Sequence, residues 1–136
     1  MEEYLKRIDL QDVSMQTLAF IGDSVYDLYI RSYLASKSNE KAGLLHNKAI
    51  SYVSARSQAG IVDKILDSLT QEEVSIYKRG RNTNIITSKH ADVVEYKKAT
   101  GLEALVGYLY VSRNLTRLDE LIKLCVESKE NNVEGA

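Results

Sequence analysis

The chain has 136 residues, the size of one ordinary domain, and its formal net charge of −1 argues against a generic polybasic nucleic-acid binder. Proline is absent and 44% of the residues are hydrophobic, so long helices can run without interruption around a sizeable core. The single cysteine, Cys125, excludes an intramolecular disulfide and a thiolate metal cluster. No apolar run is long enough for a membrane span, and the acidic N-terminus does not resemble a signal peptide. We therefore expect a cytoplasmic, all-α protein.

The first half of the chain predicts two long helices. Ser14 suits the N-cap of a helix that ends near residue 36, preceded by a short turn or helix in residues 1–13. Apolar residues then recur at helical spacing over residues 40–68, and a kink is expected near Gly60.

Two further helices are predicted in the middle of the chain. Thr70 and Glu73 have the spacing of a capping box and open a short helix that ends near Lys78. Asp92 is the expected N-cap of a long apolar helix, and Glu95 at the third helical position is expected to complete a capping box with it.

The last predicted helix is amphipathic and covers residues 115–127, with Cys125 on its apolar face. The polar residues 128–136 are predicted to be frayed. Because we find no repeat and no linker, we expect a single domain over residues 1–136 with its core in residues 14–127.

The most informative stretch is residues 18–30, which are apolar on nearly every side of a helix. Such a helix is normally buried, yet it carries Asp23 and Asp27 one turn apart on one face. Burial of an ionised carboxylate is costly unless a cation or a metal compensates its charge. For Asp27 we favour a structural role, a hydrogen bond or an ion pair with Arg31 four residues further on, and a role in the outer shell of a bound metal is the alternative.

A second apolar stretch, residues 99–112, mirrors the first and carries Glu103 as its single charged residue. Each acid has a glycine within about one helical turn, and small residues let two helix backbones approach closely. The pattern predicts a close crossing at which Asp23 and Glu103 converge on a divalent cation. Asp92 shares a helix face with Glu103 but lies about 16 Å away along the axis, so it is expected to cap the helix.

The most basic part of the chain is residues 78–84, where Lys78, Arg79 and Arg81 surround Gly80. As a loop, this segment would grip phosphate oxygens through its side chains and backbone amides. A solvated surface loop is the alternative, and the residues alone leave both open.

Two segments resemble the signature motifs of the ribonuclease III family. Residues 16–25, QTLAFIGDSV, are similar to the family's E-R-L-E-F-L-G-D-[AS]-V. Residues 100–110, TGLEALVGYLY, are similar to its D-x-x-E-A-L-x-G-A-L-Y. The resemblance covers about residues 14–124 and looks closest to the mini-ribonuclease III subclass, which has the catalytic domain without the usual double-stranded-RNA-binding domain.

The resemblance implies a ribonuclease III-type helical fold and a homodimer that cuts double-stranded RNA with Mg²⁺, one strand per subunit. Larger family members use four metal-binding carboxylates, and two of those positions are Ala19 and Thr100 here, as expected of the mini subclass. A further glutamate of the first motif is Gln16. Asp23 and Glu103 remain as the implied catalytic and metal-binding residues, with water completing the shell of Mg²⁺, for which Mn²⁺ would substitute.

The same resemblance implies that the substrate is a 23S ribosomal RNA precursor, cut in the helix formed by its ends, and it leaves a ribosomal protein open as a further partner. Without a separate RNA-binding domain, the surface of the catalytic domain has to bind the A-form helix through its shape and phosphates. The residues expected to bind RNA are Lys78, Arg79, Arg81 and Asn82, followed by Arg56, Lys48 and Lys89.

Two other classes of protein stay open. The first is a catalytically silent member of the fold that binds structured RNA without cutting it, which the missing carboxylates make conceivable. The second is a helical dimerisation or adaptor module in which the acidic pair is merely structural. Metal-dependent cleavage that disappears in Asp23→Asn would exclude the first class, and any RNA phenotype of that variant would exclude the second.

Overall fold

The computed structural model describes residues 1–83 and 92–134, with side chains up to residue 131. Within these ranges every regular element is helical, which confirms the predicted all-α class. A short 3₁₀ turn, Leu66–Ser68, follows the fourth helix. The helices are α1 (Glu2–Lys6), α2 (Met15–Lys37), α3 (Ala42–Val53), α4 (Ala55–Ile65), α5 (Gln71–Arg81), α6 (Val93–Val111) and α7 (Leu115–Glu134).

Helix α6 is the centre of the fold, because α2, α4, α5 and α7 all pack against it. Its residues Leu102, Ala104, Leu105 and Val106 are completely buried. Cys125 on α7 is also fully buried, which confirms that it is a core residue. Among the described residues no helix is long and apolar enough to cross a membrane.

The predicted N-caps are confirmed. The Ser14 hydroxyl accepts a hydrogen bond from the Thr17 amide at the start of α2. Thr70 and Glu73 form a complete capping box at α5, since each side chain accepts from the other residue's backbone amide. The Asp92 carboxylate caps α6, where it accepts from the third helical amide at 3.0 Å. These local hydrogen bonds satisfy amides that have no partner inside the helix.

The long helix predicted over residues 40–68 is broken, and the break lies at Ser54 rather than at Gly60. Ser54 has extended backbone angles, φ −63° and ψ 153°, so it ends α3. Its hydroxyl then accepts from the Ser57 amide at 3.2 Å and caps α4. Gly60 lies inside α4 without interrupting it, because an isolated glycine costs a helix only about 1 kcal/mol.

Two predicted helix ends are also wrong. Helix α5 continues to Arg81, so the basic residues 78–81 form its last turn and not a loop. Helix α7 continues to Glu134, so most of the polar segment is ordered helix. Side chains from other helices hold α7 there: Lys37 pairs with Glu130 at 3.2 Å, and the Lys64 ammonium donates to the Ser128 carbonyl at 3.4 Å.

The prediction that α2 is buried on nearly all sides is wrong for one face. Phe20 is 79% exposed and Leu28 is 64% exposed in the single chain, while Leu18 and Tyr26 on the opposite side are fully buried. Two large apolar side chains on one exposed helix face are unusual unless another surface covers them.

Candidate active site

The site is built on a crossing of α2 and α6 that only glycine permits. A Cβ atom on Gly22 would lie 1.7 Å from the Glu103 carbonyl oxygen, and one on Gly107 would lie 2.0 Å from the Leu18 carbonyl oxygen. Both distances are far below van der Waals contact, so the two backbones touch at these glycines. The crossing therefore fixes Asp23, the neighbour of Gly22, beside Glu103.

The Asp23 and Glu103 carboxyl groups are hydrogen-bonded to each other. Burial of Glu103, the hydrogen bond with Asp23 and the negative charge of Asp23 together raise the pKa of Glu103 to about 9. Asp23 is exposed, so the pair is open to solvent on one side. Two convergent carboxyl groups are a suitable donor set for a divalent cation, whose positive charge would take the place of the proton on Glu103.

The other two acids that share a helix face with Asp23 or Glu103 have structural roles. Asp27 accepts from the Arg31 Nε at 2.9 Å, which confirms the predicted ion pair. Asp92 is used as a helix cap. No third histidine, cysteine, aspartate or glutamate joins the pair to form a metal-binding cluster in the part of the chain that the structure describes.

Ala19 and Thr100, which stand where the larger enzymes have carboxylates, have structural roles here. Ala19 is buried in the core beside the crossing. The Thr100 hydroxyl donates to the Tyr96 carbonyl at 2.9 Å, one turn back on α6. The Thr100 hydroxyl group is therefore used in a hydrogen bond within its own helix. Asp23 and Glu103 are the acidic residues that remain at the crossing.

The last turn of α5, residues 78–81, forms a surface that we call the basic turn. Lys78 and Arg79 are exposed, and neither has an ion-pair partner among the described residues. Arg81 is half-buried; its guanidinium lies 5.6 Å from the centre of the Tyr77 ring and donates to the Asn82 Oδ1 at 3.2 Å. Cations at the end of a helix also interact favourably with its dipole, so part of this pattern stabilises α5.

The basic turn is held against α6 close to Glu103. A Cβ atom on Gly80 would lie 2.7 Å from the Ala104 Cβ and 3.1 Å from the Gly101 Cα. The Tyr77 ring and its backbone carbonyl cover Gly101 in the same way. This contact was missed in the sequence, where Gly80 appears only as a break among cations.

The comparisons with known proteins agree with this geometry. The ribonuclease III domain model matches residues 16–114. A mini-ribonuclease 3 from Streptococcus pneumoniae is 46% identical over 126 residues, covering 90% of this chain and 98% of that protein. One from Clostridium tetani is 40% identical over 98% of this chain and 92% of its own length. The chain belongs to the mini-ribonuclease 3 branch of the ribonuclease III family. It is therefore an endoribonuclease, which confirms the family and the enzyme class that the two motifs predicted.

A solved structure supports the fold of this mini-ribonuclease 3 family member. The crystal structure of protein FN1578 from Fusobacterium nucleatum superposes with a TM-score of 0.79 at 32% sequence identity. The match covers 88% of this chain and 98% of that one, so the two share the helical fold over most of this chain.

The other residues expected to bind RNA are placed less favourably. Arg56 is exposed near the start of α4, away from any ion pair in the described ranges. Lys48 on α3 is paired with Glu40, so its charge is partly neutralised within the chain. Asn82 is exposed and follows the basic turn directly, whereas Lys89 lies outside the described residues.

Proposed function

We propose that this mini-ribonuclease 3 hydrolyses phosphodiester bonds of double-stranded RNA, with Mg²⁺ held by Asp23 and Glu103. The observation that carries the proposal is the carboxyl pair at the glycine crossing, next to a helical turn whose exposed cations have no acidic partner in the part of the chain that the structure describes. Together they offer a divalent-cation site at the α2–α6 crossing and a phosphate-binding surface on α5, which packs against α6 beside Glu103.

The donor set fits a hard cation. Asp23 and Glu103 supply two carboxylate oxygens on the accessible side of the crossing, and Mg²⁺ commonly keeps several waters beside one or two carboxylates. When bound, Mg²⁺, or Mn²⁺ in its place, lowers the pKa of a bound water and polarises the scissile phosphate. Because Glu103 is protonated in the free protein at neutral pH, it has to release its proton to hold the cation.

The protein's own cations orient the substrate. Lys78 and Arg79 face solvent and would bind phosphates of one RNA strand, while Arg81 has less freedom because it rests on Tyr77. A-form RNA displays its phosphates and 2′-hydroxyls rather than its base edges, so this kind of surface recognises shape more than sequence. Arg56, Lys48, Asn82 and Lys89 extend the proposed RNA-binding surface.

We also propose a homodimer that uses the exposed face of α2. Phe20 and Leu28 are large, apolar and exposed in the single chain, and they lie on the same helix as Asp23. Burying them against a second copy would contribute about 1.5–3 kcal/mol of favourable free energy for each side chain. Two sites related by this interface would cut one strand each of a single duplex.

The natural substrate that we propose is the duplex formed by the ends of the 23S ribosomal RNA precursor, in the cytoplasm, with a ribosomal protein as a further partner. Support for this comes from the resemblance to the subclass, and a duplex substrate agrees with the shape-reading surface. It is tested by the lengths of 23S precursor ends in cells that lack the protein.

Cleavage of a long double-stranded RNA by the purified protein tests the core of the proposal. We expect cutting with Mg²⁺ or Mn²⁺, no cutting with EDTA, and no cutting by Asp23→Asn under any of these conditions. Binding without cutting, equal in the wild type and the variant, would instead favour the catalytically silent RNA binder.

A further inference from the structure

The contact between the basic turn and α6 links two parts of the proposed site that lie far apart in the sequence. Gly80 lies between Arg79 and Arg81 and faces α6, so the cations project to either side of it. On α6 its neighbours are Gly101 and Ala104, and Ala104 follows Glu103 directly. The position of the phosphate-binding cations relative to the carboxylates therefore depends on how closely α5 approaches α6 at Gly80.

The approach is as close as these atoms allow. A Cβ atom at Gly80 would be 2.7 Å from the Ala104 Cβ, whereas carbon atoms pack at about 3.5–4.0 Å. Any side chain at this position would push the end of α5 outward by about 1 Å. The Thr83 hydroxyl donates to the Gly80 carbonyl at 2.8 Å, so the turn would move as a unit and would keep its own hydrogen bonds.

We propose that Gly80 is a positioning residue: its contact with Gly101 and Ala104 sets the distance between the basic turn and the Glu103 carboxylate. This inference rests on the proposed function, in which the basic turn binds RNA and the carboxylates hold the cation. Gly80 touches neither RNA nor metal. It acts by placing the scissile phosphate on the carboxylates once the duplex is bound.

The predicted effect is on the chemical step and not on affinity. In Gly80→Ala the same cations still reach phosphates, so the dissociation constant and its salt dependence should stay within about threefold of the wild type. The bound phosphate would be displaced from the carboxylates by about 1 Å, and a misplacement of that size can slow a reaction by about 10- to 100-fold.

Ala104 offers a specific rescue, because its Cβ is the nearest atom to the added methyl group. Replacing Ala104 by glycine in the same protein removes that atom, which leaves the Gly101 Cα at 3.1 Å as the nearest contact and lets α5 return to within a few tenths of an ångström. Gly60→Ala is the matched control, since a Cβ at Gly60 has no neighbour within 4 Å and Gly60 lies inside α4.

The experiment compares single-turnover cleavage of a labelled RNA duplex, with protein in excess and Mg²⁺ present, and duplex binding with EDTA. The proteins are the wild type, Gly80→Ala, Ala104→Gly, the double variant and Gly60→Ala, assayed well below their unfolding temperatures. We expect Gly80→Ala to bind normally and cut at least about tenfold more slowly, and the double variant to recover to within about threefold of Ala104→Gly.

Three results would overturn the inference: a Gly80→Ala rate equal to that of Gly60→Ala, a loss of binding that accounts for the loss of cleavage, or a double variant no faster than Gly80→Ala. If Gly80→Ala fails to fold, the double variant must fold and cut for the inference to stand. A wild-type protein that does not cut the duplex overturns the proposed function itself, which is a different outcome from any of these.

Discussion

Asp23 and Glu103 come from helices that are distant in the sequence, yet their carboxyl groups share a hydrogen bond. Motif spacing was sufficient to predict this pair, because each acid lies within a turn of a glycine that allows the helices to touch. The pattern did not reveal that Arg81 stacks on Tyr77 or that Gly80 touches Ala104. Those contacts depend on how α5 is placed on α6, and no local periodicity encodes that placement.

Glu103→Gln should make the metal-free protein more stable while removing its activity. The folded pKa of Glu103 is raised to about 9, so above the ordinary pKa of glutamate the wild type loses stability as the pH increases. A neutral glutamine keeps a hydrogen bond to Asp23 and has no carboxyl group whose protonation on folding lowers the stability at neutral pH. We therefore expect the free energy of unfolding to increase by about 1–3 kcal/mol at neutral pH. Urea unfolding of both proteins with EDTA at pH 7 measures the difference in the free energy of unfolding. A Glu103→Gln protein that is less stable than the wild type would contradict this account of the pair.

At the scale of elements, the caps and the helix crossings decide the fold. Ser54 ends α3 and caps α4, although the sequence predicted a kink at Gly60, because a serine hydroxyl offers the backbone an alternative hydrogen bond. Helix α7 continues beyond its predicted end, where an ion pair from Lys37 of α2 and a hydrogen bond from Lys64 of α4 to the Ser128 carbonyl support it. Tertiary contacts of this kind are not visible in a single helix's periodicity.

The α2–α6 crossing should not tolerate any side chain. Gly22→Ala places a methyl group 1.7 Å from a backbone carbonyl oxygen, which cannot move as a flexible side chain would. We expect a loss of at least about 3 kcal/mol or failure to fold. Gly60→Ala is the control and should be neutral or stabilising by up to about 1 kcal/mol. Thermal unfolding measures both, and a Gly22→Ala protein as stable as the control would show that the backbones do not touch.

A buried ion pair joins α5 to α7 and makes stability depend on pH. Glu73 is 5% exposed and accepts from the Arg117 Nε and Nη2 at 2.8 Å; chiefly because of this hydrogen bond, the pKa of Glu73 is lowered. Its contribution is therefore complete above the ordinary glutamate pKa and is lost as the pH falls through the lowered value.

Glu73→Gln tests that pair without removing the helix cap, since glutamine also completes a capping box. We expect about 1–3 kcal/mol lower stability at pH 7 and a difference that shrinks as the solution is acidified below about pH 4. Chemical unfolding over this pH range measures the change. A difference that stays constant with pH would mean that the ion pair contributes nothing.

At the scale of the whole molecule, the exposed face of α2 was not predicted. Apolar residues on nearly every side of a helix usually indicate burial within one chain, but Phe20 and Leu28 face outward. The apolar pattern of α2 indicates that these side chains are buried, but it does not show whether they are buried in the chain's own core or against a second copy. The homodimer that we propose removes this conflict.

Phe20→Asp should convert the proposed dimer into a monomer by placing a charge in the interface. Val94→Asp, at another exposed apolar position (62% exposed, at the start of α6), is the control and should leave the assembly unchanged. Sedimentation velocity at the same concentrations measures both proteins. If Phe20→Asp sediments like the wild type, another surface forms the dimer or the protein is a monomer.

The central claim is that the Asp23–Glu103 pair is the catalytic metal site, and one pair of variants tests it directly. Asp23→Asn and Asp27→Asn change neighbouring acids on consecutive turns of α2, but Asp27 is already paired with Arg31. In single-turnover cleavage of a labelled RNA duplex with Mg²⁺, we expect Asp23→Asn to lose at least about 10³-fold in rate and Asp27→Asn to stay within about threefold of the wild type. Equal rates for the two variants would contradict the claim.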